Sequence, residues 1–200
     1  MSKNRLSRLR SVAALLLCWL APAWAVTVAP VDFSSLVARA EFIFTGKVLA
    51  TRSEWTGQGN ARCIVTHLTF EVQAAHKGTP PSRLELRFLG GTVGDTTLEV
   101  HGIPRFTIGE RAILFVERNG EKFCPLVGIH HGKLGIERDQ ATGQEILIRY
   151  NRKPLTDVRE IGQDDATTMR AAADAPGARA LSVAEFVERI SGELAATRAR

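Results

Sequence analysis

The chain has 200 residues, of which 44% are hydrophobic and 24% charged, a composition that suits one packed core and is short for two. It carries 26 Lys and Arg against 21 Asp and Glu, but Lys3, Arg5, Arg8 and Arg10 all lie in a leading stretch, Met1–Ala25, that has no acidic residue. The remainder of the chain is within one charge of neutral, so no basic stripe argues for nucleic acid or for an anionic membrane surface.

That leading stretch reads as a secretory signal. Its four basic residues form a positive n-region, Val12–Leu20 an apolar h-region, and Ala23-Trp24-Ala25 the small-x-small pattern before a cleavage site. The apolar run is about half the roughly 20 residues a spanning helix needs. Leu17 precedes Cys18, where a lipidation signal wants a small side chain. The expectation is cleavage after Ala25 and export to the periplasm or beyond, with no permanent membrane span. Cleavage removes Cys18 and leaves Cys63 and Cys124. In an oxidising compartment two thiols most often pair, and closing a loop of about 60 residues would add something near 4 kcal/mol in the chain-entropy view. A Cys63–Cys124 disulfide is therefore expected.

Asp32 or Ser34 can cap a short helix over 34–40, with Leu36, Val37 and Ala40 on one side. The run FIFTGKVLAT from Phe42 alternates as a strand, with Gly46 at a bulge or sharp bend. CIVTHLTFEVQA from Cys63 is the clearest strand, placing Ile64, Leu68, Phe70 and Val72 inward. RLELRF from Arg83 alternates in the same way, and a short strand is expected over Thr97–His101. RAILFVE from Arg111 is apolar on both faces and so belongs in the middle of a sheet. Asn119-Gly120 is a hairpin signal that returns through KFCPLVGI. KLGIER and EILIRY form a last pair. About seven short strands at even spacing favour a closed barrel or sandwich.

After Tyr150 the composition shifts. Residues 151–180 read as a linker, and 181–200 as an amphipathic helix. There Ser182 and Glu185 make a capping box, Leu181 and Phe186 a staple, and Val183, Phe186, Val187, Ile190 and Leu194 one apolar face. The organisation is a signal over 1–25, a β-barrel domain over 26–150, a linker and a helix whose apolar face docks on the barrel or, in the alternative, on a partner.

Residues that carry chemistry are scattered. None of His67, His76, His101, His130 and His131 falls in a zinc-ligand spacing. His130 and His131 are adjacent at a strand end, which would send their side chains to opposite faces. There is no G-x-S-x-G elbow, and the glycine pair Gly90-Gly91 does not open a helix. No catalytic set, metal or cofactor is selected. The candidate contact residues are Trp55, in what reads as a glycine-rich hairpin loop, Arg105 and Phe106 after Pro104, and His130 with His131.

Taken together, FTGKV, THLTFEV, HKG, Gly90-Gly91, PRFTIGERAILFVE and GIHHGKLGIERDQATG resemble a family of uncharacterised exported bacterial proteins. The resemblance runs from about Glu41 to Gly143. Those proteins share an F-x-G-x-V strand, a T-F-x-V strand ending in K-G and a P-x-F-x-x-G-E-x-x-x-L-F segment. That family is in turn similar to the netrin-like oligomer-binding (OB) barrels, which include the tissue inhibitors of metalloproteinases. The resemblance implies an OB-like closed barrel with an added hairpin, a short N-terminal helix and a C-terminal helix. Those inhibitors chelate a protease zinc through an N-terminal cysteine, whereas the expected terminus here is Val26. Where relatives have Gln before Gly-Lys, this chain has His131. The function expected is a non-enzymatic binding module for an exported or envelope protein, in one version a secreted protease. A hydrolase built on His130, His131 and a carboxylate is the alternative. The oligomeric state is left open.

Overall fold

The computed structural model describes residues 31–163 and 179–199. The expected export signal and residues 164–178, half of the expected linker, lie outside the described residues. Helix α1, Phe33–Arg39, starts at Asp32, whose side chain accepts from the Ser35 amide at 2.7 Å. Hydrogen bonds from the Ser35 side chain and then from its amide hold the Asp32 carboxyl below its ordinary range. Helix α2, Val183–Arg198, starts at the expected capping box between Ser182 and Glu185. Among the described residues no helix is long and apolar enough to cross a membrane.

The strands are β1 (Phe42–Thr56), β2 (Cys63–Lys77), β3 (Arg83–Leu89), β4 (Gly91–Val93), β5 (Thr96–Leu98), β6 (Arg111–Val116), β7 (Lys133–Arg138) and β8 (Glu145–Ile148). Six of them form one antiparallel sheet in the order β3-β2-β1-β6-β7-β8, and β4-β5 is a separate hairpin. The protein is thus mainly β, as expected. Register shifts at Ile43/Phe44, Thr45/Gly46 and Val48/Ala50 bend β1 along β2. At Gly46 an added Cβ would lie 2.6 Å from the Phe44 ring, so glycine here is a packing requirement.

The sheet is not closed. The segment after β6, expected to return as a strand, makes only the isolated bridge Val116–Leu126. It spans the gap between β3 and β6 instead. The Leu89 amide donates to the Phe123 carbonyl at 2.7 Å, and the Val127 amide to Phe115 at 2.9 Å. Proline at 125 and the turn after Arg118 keep this stretch from extending as a ladder strand. On the other side, β8 is bordered by bridges from Pro154 and Ser182. Both edges are occupied by irregular chain, so neither is left to pair with the other.

The two faces of the sheet bury separate cores. On one, Ile43, Ile113, Phe115, Leu134 and Leu147 pack with Phe33, Leu36 and Val37 of α1 and with Phe186 and Ile190 of α2. The Phe186 ring lies 5.5 Å from Phe33 and 6.3 Å from Phe115, both edge-on. The C-terminal helix is therefore part of the core. On the other face Phe44, Val48, Leu68, Phe70, Leu86, Phe88, Leu114 and Leu126 pack together. Strand β6 feeds both, as its two-sided apolar pattern requires. Residues that read as the start of a linker also belong here. Leu155 and Ile161 are buried in the first core, and Leu155 hydrogen-bonds Leu147 at 2.8 Å.

Cys63 and Cys124 are both free thiols. The end of β3 stands between them, for Leu89 pairs with Val65 on one side and hydrogen-bonds Phe123 on the other. The expected Cys63–Cys124 bond is not formed in this structure. Burial pushes the Cys124 thiol up to about 11, which leaves it protonated and unreactive.

Candidate functional site

A pocket of about 580 Å³ opens at the β7–β8 end of the sheet, within the size range of small-ligand sites. Its floor is strand β7. Leu134 and Ile136 face the helix-covered core, so the two-residue period turns Lys133, Gly135 and Glu137 the other way, and all three line the pocket. Ile148 lies opposite Gly135 on β8. One wall is the loop Gly102–Arg105. The other is the turn after β8, which carries Arg149, Tyr150 and Arg152.

Lys133 ties this assembly down. Its side chain, 14% exposed, pairs with Glu110 at 2.6 Å, donates to the Arg105 carbonyl at 2.5 Å and lies 4.2 Å from the centre of the Phe106 ring. Phe106 in turn packs edge-on to Phe70 at 5.4 Å. The loop is thereby pinned to the floor, and Phe106 serves the core behind the pocket. Arg149 is nearly buried, with its Nε 3.5 Å from Glu160. Arg105 and Arg152 are different. Their side chains are 87% and 86% exposed, Arg105 pairing with Glu99 and Arg152 with Glu137 at 3.9 Å. Exposed pairs of this kind hold a guanidinium by less than about 1 kcal/mol, so both groups can turn to a ligand.

His130 and His131 do not point to opposite faces. They sit in a 3-10 turn, Ile129–Gly132, entered through left-handed Gly128 and through Ile129 at φ 58°. The turn breaks the strand alternation and brings the two rings to 4.1 Å between centroids. Tyr150 lies 4.1 Å from His130 and 5.4 Å from His131. Burial keeps His130 below its ordinary range, against a hydrogen bond to the Gly102 backbone. Burial, the His130 ring and Arg149 push His131 down to about 4. Both imidazoles are neutral at pH 7. Among the described residues no group of three His, Cys, Asp or Glu is placed to hold a metal ion.

Of the sequence candidates, Arg105 and His130 line the pocket and His131 stands behind His130. Trp55 is elsewhere. It belongs to β1, paired with Ile64 beyond the stretch that meets β6, and the Arg62 guanidinium lies 4.3 Å over its ring. Lys133, Gly135, Tyr150 and Arg152 do not stand out in the sequence as site residues. The signal for the floor is the alternation K-L-G-I-E, whose outward face carries a charge, a bare position and a charge. Arg152, in contrast, depends on a turn conformation that the sequence does not announce.

Comparisons with protein families, with curated proteins and with solved structures find no match.

Proposed function

We propose that the chain is an exported, non-enzymatic binding module and that the pocket at the β7–β8 end receives a side chain or terminus of its protein partner. One observation carries this reading. A concavity of about 580 Å³ is rimmed by Tyr150, 43% exposed, and by the exposed guanidiniums of Arg105 and Arg152. Tyrosine and arginine around a pocket are the residue types in which binding energy concentrates. An OB-like origin of the curled β1-β2-β3 half, and a partner that is a secreted protease, belong to the same proposal.

The test is affinity capture. The exported chain is immobilised and exposed to the source cell's envelope and secreted fractions beside its Tyr150→Ala variant. A protein retained by the parent and lost from the variant supports the reading. A protein retained equally by both refutes the pocket as its binding site.

The hydrolase alternative draws on the neutral pair His130 and His131 beside the same pocket. Of the carboxylates lining it, Glu110 is held by Lys133 at 2.6 Å and Glu137 is exposed beside Arg152, an arrangement that favours binding over base catalysis. A hydrolytic activity lost on His130→Asn would reverse that order.

A further inference from the structure

Glycines in this fold are mostly explained by backbone or packing. Gly132, one turn before the pocket floor, is buried, and an added Cβ there would lie 2.5 Å from the Val127 carbonyl oxygen. Gly135 has neither reason. Its backbone is ordinary β, and an added Cβ would meet only the Ile148 carbonyl oxygen at 3.6 Å and its Cβ at 3.8 Å, normal contact distances. Gly192, the other glycine of this kind among the described residues, lies on the exposed side of α2 with nothing near it. Glycine inside a strand weakens it relative to alanine, so the fold gains nothing from Gly135. The missing side chain leaves space on the pocket floor between Lys133 and Glu137.

A second oddity lies on the rim. Three described residues other than glycine have positive φ, and two of them flank this pocket: Ile129, just before His130, and Arg152 at φ 62°. Both are conformations that side chains resist. Arg152 occupies the left-handed position of the turn between Arg149 and Lys153, where glycine would be at ease. Non-glycine residues held in such conformations gather at functional sites.

We infer that Gly135 and Arg152 are both kept for a ligand: a small anionic group, carboxylate or phosphate, seated over the bare Gly135 floor and gripped at the mouth by Arg152 and Arg105. The lining carries four cationic side chains, Arg105, Lys133, Arg149 and Arg152, against Glu110 and Glu137. Glu99 and Glu160 add counter-charge from outside it. Lys133 and Arg149 are fixed by their partners, so recognition falls to the two exposed guanidiniums. Each can exchange a solvated carboxylate for a bidentate grip on a ligand oxygen pair. Ile103, Pro104, Ile148 and the Tyr150 ring give the rest of the ligand apolar contact. This deepens the binding-module reading and uses the same pocket, but its test needs no protein partner.

The test monitors backbone amide shifts by NMR while the chain is titrated with inorganic phosphate and, separately, with a hexaglutamate peptide. Saturable shifts centred on Gly102, Gly135 and Arg152 are expected with at least one probe. Phosphate alone points to a free small anion, and hexaglutamate alone to acidic side chains of a partner. Gly135→Val should weaken the responding probe by about tenfold or more. Arg152→Gly should do so with an unchanged or raised Tm, because it relieves the left-handed backbone. If Gly135→Val does not fold, Arg152→Gly and Gly135→Ala carry the test. No response to either probe, or equal responses in parent and variants, overturns the inference.

Discussion

The ring of Tyr150 lies 4.1 Å from that of His130, tilted by 52°, and this contact joins the turn after β8 to the 3-10 turn before β7. It fixes one wall of the pocket, because Arg149 and Arg152 are carried on the same turn as Tyr150. Tyr150→Ala is expected to loosen that wall and to weaken partner binding by about tenfold or more. Half-exposed as the ring is, unfolding stability should fall by only about 1 kcal/mol. Binding and thermal unfolding measured on the same sample separate the two effects.

Protonation of His131 should destabilise the fold. Its folded value of about 4 lies below the ordinary 6.5 of an unfolded imidazole. The unfolded chain therefore takes up the proton first as pH falls. The contribution is fully present above pH 6.5 and is lost progressively towards pH 4. The ring is partly solvated, so the loss is about 1–2 kcal/mol rather than the full value of the shift. Chemical denaturation between pH 7 and 4 should show this slope, and His131→Phe should flatten it.

Asn119 covers the outer edge of β3. Its Nδ2 donates to the Glu85 carbonyl at 2.7 Å, and its Oδ1 accepts from the Arg87 amide at 3.2 Å, so one side-chain amide stands in for a neighbouring strand. Asn119→Ala is expected to cost about 0.5–1.5 kcal/mol. It should also expose the edge to pairing with a second copy, which sedimentation velocity would register as concentration-dependent association.

Phe186 is fully buried between Phe33 and Phe115. Phe186→Ala should cost about 3–5 kcal/mol and lower the Tm of the whole chain in one transition. A separate early transition with the sheet intact would mean that α2 is an appendage.

Most of the strands are legible in the sequence because their alternation is local. CIVTHLTFEV and RLELRF show the period of two, and S-x-x-E before an apolar stripe shows a helix start. The segment Phe123–Val127 reads as a strand but is not one, because its hydrogen bonds go to two strands, β3 and β6, a tertiary choice that no local pattern carries. The pairing of Cys63 with Cys124 rests on compartment and count alone, and β3 lies between them. The site is legible only in pieces. Arg105 and His130 stand out by residue type, but the left-handed Ile129 and Arg152 that aim the turns depend on neighbours distant in sequence.

The central claim is that the pocket over β7 is where this protein binds, and the most direct measurement is the dissociation constant of a captured partner for three versions of the chain. The parent and Trp55→Ala, altered on the distant part of β1, should bind alike, while Arg152→Glu should bind more weakly by about tenfold or more. Equal binding by the parent and Arg152→Glu, with loss in Trp55→Ala, would contradict the account and move the interface to the β1–β2 ribbon.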